Sequence, residues 1–263
     1  MCVHKKRDKV GRVMLMVTAG LMAAGLIAAS AHAQSFIISQ NGTRVGTATL
    51  SVRQSNGGLD LTSGSKISMS GLNYSFTANQ SLDPAYRLRS VQLSGLVNGT
   101  AATVNATAQG QSLQVKINAN GRVTQTPLAS HPQVVFWPDF DPGALQIALN
   151  LGAASNNRDL WAIIPKQTGS VSPLKIVTKA DEQGTLSGKV VTVHHQTISL
   201  EGAAPTSIEV FSGPANELLQ AEWIDEQFAM VRQGFQIRPP ARPENPPPAA
   251  PKSNQQPAQQ PQN

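Results

Sequence analysis

Two tetrapeptides, Ser63-Gly64-Ser65-Lys66 and Ser172-Pro173-Leu174-Lys175, place a lysine three residues after a serine. On a helix that spacing brings the amine over the hydroxyl and can activate it as a nucleophile for acyl transfer. Neither tetrapeptide reads as helix. In an extended strand, residues i and i+3 point to opposite faces, and Pro173 argues further against a helix at the second site. The companion motifs are missing as well: Lys166-Gln167-Thr168-Gly169 is not Lys-Thr-Gly, and Ser-Asp-Asn does not occur. Both matches are read as chance.

His131, Asp139 and Asp141 gather near Trp137, and a histidine with nearby carboxylates is suited to metal binding or proton transfer. Pro132, Pro138 and Pro142 instead mark an irregular connection, and Asp141 directly before Pro142 fits a helix N-cap followed by the first helical position. His194 and His195 are adjacent in an expected strand, so they point to opposite sides and cannot chelate one ion together. His195 shares its face with Val191 and Val193, which reads as a packed core histidine. No Gly-x-Ser-x-Gly elbow, His-Glu-x-x-His, phosphate-binding glycine loop or dinucleotide fingerprint occurs. The Asn-x-Ser/Thr triplets at Asn41, Asn73, Asn79, Asn98 and Asn105 matter only on a eukaryotic secretory route and are treated as compositional. No catalytic residue, metal or cofactor is assigned, and the chain reads as non-enzymatic.

Where the chain works is more legible. Lys5, Lys6, Arg7, Lys9 and Arg12 form a basic head, an apolar run comes next, and Ala31-His32-Ala33 supplies a small-residue cleavage site. Residues 1–33 are a signal peptide in outline, which places the mature chain in the periplasm or outside the cell, starting near Gln34. An uncleaved anchor is the competing reading; no later stretch has the length to span a membrane. Cys2, the only cysteine, lies in this leader, so the mature chain has neither disulfide nor thiolate chemistry, and no cysteine at the cut to carry a lipid. The net charge of +6 is largely the leader's, since removing its five Lys/Arg and one Asp leaves 16 basic and 14 acidic residues. Electrostatic capture of nucleic acid has little support from that balance.

The last 25 residues, 239–263, hold 9 of the 18 prolines among Ala, Gln and Asn, and read as a disordered spacer unable to form a core. Residues 34–238 then make a single domain. Its dominant hydrophobic period is two: Leu72, Tyr74, Phe76 and Ala78 alternate with polar residues, as do Leu113, Val115 and Ile117, and Ile67 and Met69. Asn41-Gly42, Asn56-Gly57-Gly58, Asn98-Gly99, Gln109-Gly110 and Asn120-Gly121 punctuate the runs as hairpin turns. The spacing predicts an antiparallel meander, one helix over 142–151 ending near Gly152, and further strands at 160–164, 174–178, 189–195, 207–211, 218–224 and 228–237. A lone apolar helix must bury its stripe, and the concave face of a curved sheet is the surface available. The fold class is therefore mainly β, a curved sheet or half-barrel packed on one short central helix.

The opening hairpin Phe36-Ile37-Ile38 with Asn41-Gly42-Thr43-Arg44-Val45-Gly46-Thr47, the Asp141-Pro142 helix and the closing hairpin from Trp223 to Phe235 carry a resemblance across roughly residues 36–237. In that order the chain resembles periplasmic and secreted β-rich domains of uncharacterised bacterial families. It is similar to the half-barrel of outer-membrane lipoprotein carriers and to the all-β module preceding some secreted α/β-hydrolases. The resemblance implies an envelope binding domain that holds lipid or another apolar ligand between sheet and helix, with Leu72, Tyr74, Phe76, Leu113, Val115 and Ile117 lining the site. The same residues fit a fully packed core, in which case the chain is a structural or protein-interaction module of the envelope, and its partner an envelope protein. A secreted hydrolase accessory or enzyme is the third expectation.

Overall fold

A computed structural model describes residues 32–55, 57–129, 131–156, 158–165, 170–201 and 205–238. The leader through Ala31, the tail from Pro239 and the Lys166-Gln167-Thr168-Gly169 stretch lie outside the described residues. The alternating first half forms β1 (His32–Gln40), β2 (Thr43–Ser55), β3 (Gly58–Met69), β4 (Leu72–Leu82), β5 (Leu88–Val97), β6 (Thr100–Gln109), β7 (Ser112–Ala119) and β8 (Arg122–Ala129). Each strand pairs antiparallel with the next. At Asn41-Gly42, Asn98-Gly99 and Asn120-Gly121 both turn residues have positive φ, the conformation whose twist matches the flanking strands of a tight hairpin.

The meander then gives way to β9 (Val134–Phe136), α1 (Pro142–Ser155) and β10 (Leu160–Ile164), which returns parallel to β9. This one parallel pair departs from the expected antiparallel meander, and α1 is the crossover it requires. The second half adds β11 (Ser170–Thr178), β12 (Glu182–Leu186), β13 (Lys189–Leu200), β14 (Thr206–Ser212), β15 (Leu218–Trp223), β16 (Phe228–Arg232) and β17 (Phe235–Ile237). The stretch 228–237, expected as one strand, is two, because Gly234 at φ 81° turns the chain back.

Pairing runs β9-β10-β11-β13-β14-β15-β16-β1-β2-β3-β4-β5-β6-β7-β8, while β12 joins β17 to the first half of β13. The sheet is mixed, mostly antiparallel, and does not close into a barrel. It coils instead. On β9, Val135 belongs to the core around α1, whereas Val134 and Phe136 pack with Val91, Val104, Leu113, Val115 and Ile117 of β5, β6 and β7. On β10, Leu160 and Ala162 face the first core and Ile163 the second. One edge of the sheet is thus rolled inside and covered on both faces, as parallel strands commonly are. Burial also removes it as a template for foreign strands; the other edge, β8, carries Pro127, which has no N–H to offer.

Helix α1 begins where Asp141 accepts the Gly143 N–H at 2.8 Å, with Pro142 in the first turn. It runs past the expected stop at Gly152 to a left-handed Asn156, whose N–H caps the Gly152 carbonyl. Gly152 is buried inside the helix, and the left-handed stop falls at Asn156 instead. Leu145, Ile147, Leu149 and Leu151 are at most 2 % exposed, because strands surround the helix. Gln146, the one buried polar side chain of α1, donates to the Asn216 carbonyl at 2.8 Å and accepts the Leu218 N–H at 2.9 Å, tying α1 to the turn before β15.

Candidate apolar pocket

Cross-strand pairing sorts the inward residues of β4 to β7 into rows. Gln80–Val91–Ala106–Val115 is the deepest of three, Ala78–Leu93–Val104–Ile117 the next, and Phe76–Gly95–Ala102–Ala119 the outermost. Against the deep rows lie Val134, Phe136 and Ile163. Strands β9 and β10 end at Phe136 and Ile164, whereas β5, β6 and β7 run on. Beyond those ends the wall continues as the irregular segment 137–140 and Pro165, and of the outermost row only Ala102 and Ala119 meet it. A cavity of about 400 Å³ remains between them.

Leu93, Val104 and Ile117 form its inner end, Leu72 and Tyr74 one side, and Val97, Ala102 and Ala119 the outer end. Exposure falls inward: Val97 is 42 % exposed, Leu93 is partly buried, Ile117 is 7 % and Val104 4 % exposed, and Ala106 and Val115 of the next row 1 %. The roof is Trp137, Pro138, Asp139 and Phe140. Two hydroxyls from neighbouring strands hold it down: Ser65 Oγ donates to the Phe140 carbonyl at 2.6 Å, and Tyr74 Oη to the Asp139 carbonyl at 3.1 Å. Phe140 sits at φ 55°, an unfavourable conformation for a bulky residue, and its ring packs against Trp223 and Phe228 at 5.0 and 4.8 Å. Burial, reinforced by the charges of Asp139 and Asp141, pushes the Tyr74 phenol far up, so it remains a neutral donor.

Beneath the roof Asp141 is buried, and burial pushes its carboxyl up to about 6 against the opposing hydrogen bonds from Gly143, Ala144 and Gln80. Gly143 is needed there: a Cβ would come within 2.7 Å of Ser63 Oγ. Asp141 therefore acts as a cap whose carboxylate is costly to keep charged.

The sequence candidates separate in space. Ser63 is 2 % exposed on the inner face, opposite Ala78, while Lys66 pairs with Ser75 on the outer face. Ser172 is buried on β11 and Lys175 exposed, so neither Ser-x-x-Lys pair can cooperate. His131 stacks on Trp161 at 4.4 Å, Asp139 is in the roof and Asp141 caps α1, so these three perform separate tasks. His194 meets Asp181 at 3.0 Å. His195 is not the apolar core residue expected: its ring lies 2.7 Å from both Glu182 and Glu209 and stacks on Phe211 at 4.3 Å, in a half-buried ion cluster completed by Lys179. Burial pushes the Glu209 carboxyl up, but Lys179, His195 and Thr197 outweigh it and hold it below the usual range. Among the described residues no group of three His, Cys, Asp or Glu is placed to hold a metal ion.

Of the residues expected to line an apolar site, Leu72, Tyr74 and Ile117 border the cavity. Phe76, Leu113 and Val115 are at most 6 % exposed and lie outside its lining. Nor does the cavity lie between helix and sheet: none of its lining residues belongs to α1. Sequence reasoning missed the roof and the Ala102–Ala119 pair. Small residues at inward positions were the available signal, but only strand register brings them side by side.

These features define a coiled, mainly β protein with an internal helix and a lateral apolar pocket. No family model, curated protein or solved structure matches the chain. No helix among the described residues is long and apolar enough to cross a membrane.

Proposed function

We propose that this chain is an exported, non-enzymatic binding domain of the cell envelope that holds an apolar molecule, an acyl chain being the type example, in the pocket under residues 137–140. The carrying observation is the 400 Å³ cavity with aliphatic and aromatic walls, within the roughly 300–1,000 Å³ span of small-molecule sites. A methylene transferred from water into such a site contributes about 0.8 kcal/mol, so a chain of modest length binds without a polar anchor. Leu72, Tyr74 and Ile117 touch the ligand; Phe76, Leu113 and Val115 support the sheet behind them. The basic head, apolar run and Ala31-His32-Ala33 support export, and the repeated one-sided apolar strands support apolar cargo.

The test is native mass spectrometry of protein recovered from the envelope fraction. Solvent-extractable acyl species riding on a mature mass that starts near Gln34 are expected. A clean apo mass, together with no saturable binding of the neutral dye N-phenyl-1-naphthylamine, overturns the reading.

A further inference from the structure

We propose that the row Leu93–Val104–Ile117 is the blind floor of the pocket and sets the length of apolar chain it accepts, an inference that rests on the binding reading above. The three residues are consecutive cross-strand partners, Leu93 with Val104 and Val104 with Ile117, so their side chains form one continuous bar. Behind the bar there is no passage. The next row, Val91–Ala106–Val115, is 1 % exposed throughout and sealed by Val134, Phe136 and Ile163. A chain entering past Val97 therefore meets a wall at the bar, and its ligand-facing length is the distance from the rim to that wall.

Strand geometry fixes the step size. Rows on one face lie two residues apart, about 6.6–6.8 Å along the strand. Trimming the bar moves the floor inward by up to one row, whereas filling the outer row moves the rim toward it. Ala102 and Ala119, partners across β6 and β7, are the positions for filling. Gly95 is not, because a Cβ there would lie 2.9 Å from the Phe76 Cβ.

The experiment is a titration of straight-chain 1-alkanols of increasing length against the full mature chain, by displacement of N-phenyl-1-naphthylamine. Affinity should rise with each methylene until the chain fills the pocket, then break, each further methylene being penalised about tenfold or more. In Val104→Ala and Ile117→Ala the break should move to longer alkanols by several carbons; in Ala102→Leu it should move to shorter ones. Ala102→Leu adds side chain to existing space and opens no cavity, so it keeps the test decisive if the trimmed variants fail to fold. An unmoved break in variants that bind alkanols overturns the ruler while leaving the binding reading intact. Absence of saturable alkanol binding to the unmodified chain overturns the binding reading, and the ruler with it.

Discussion

One inward row crosses six strands, from Ala48 and Ser65 through Phe76 to Gly95, Ala102 and Ala119, and it is built of small residues at both ends. Under the β2–β3 end the space is taken: Ser65 binds the Phe140 carbonyl, α1 starts alongside with Gly143 against Ser63, and Ala48 and Ser65 are at most 4 % exposed. At the β5–β7 end Ala102 and Ala119 face the segment 137–140 across a void. Small side chains alone do not make a pocket. In one half they admit a backbone to close contact, in the other they leave a space, and the difference lies in where β9 and β10 stop.

The contrast is broken most directly by truncating one leucine on each side. Leu145→Ala, 1 % exposed within the helix core, should lose about 2–5 kcal/mol in urea unfolding, the range for a buried leucine whose surroundings collapse only partly. Leu93→Ala borders space already empty and should lose less than half of that. Equal losses would show that the cavity half is as tightly filled as the helix half.

The second test concerns the buried end of α1. Because burial raises the Asp141 carboxyl from 3.8 to about 6, the native chain binds a proton that the unfolded chain releases between those values. Native binding in excess of unfolded binding makes stability fall as pH rises through that window and level off above it, by up to about 3 kcal/mol. Asp141→Asn keeps an N-cap acceptor and removes the titration, so the stability difference between variant and parent should grow in the variant's favour from pH 4 to pH 6. Asp83 and Glu209 give the opposite slope at lower pH. Burial raises each, but Arg87 and Ala85 outweigh it at Asp83, and Lys179, His195 and Thr197 at Glu209, so their contribution is lost as pH falls through their lowered values. A parallel pair of pH profiles for parent and Asp141→Asn would mean that the carboxyl titrates normally.

Legibility in the residues divides along the same line. Strands wet on one face announced themselves by alternation, as in β3, β4 and β7, and Asn-Gly turns fixed three of the hairpins. Asp141-Pro142 marked the helix start because a cap is local chemistry. Strand β9 left no such trace: Val134, Val135 and Phe136 are all buried, since cores lie on both of its sides, and a three-residue apolar run has no period. The helix end was misplaced because Gly152 resembles a stop and Asn156 performs it. As for the pocket, Leu72, Tyr74 and Ile117 were visible as apolar strand positions, but their neighbours are set by register and by the length of β9, which sequence alternation does not encode.

The finest comparison is between the roof and the floor of the pocket. Tyr74→Phe removes the hydroxyl that holds the Asp139 carbonyl and retains the ring that lines the cavity. Its expected cost is about 0.5–1.5 kcal/mol, one hydrogen bond's net worth. Because the lost bond fastens the roof and not the floor, N-phenyl-1-naphthylamine should dissociate faster in stopped-flow mixing while the alkanol length limit stays where it was. Ile117→Ala should do the reverse, extending the limit with the roof still fastened. If Tyr74→Phe changes the length limit instead, the phenol is part of the wall that measures the ligand.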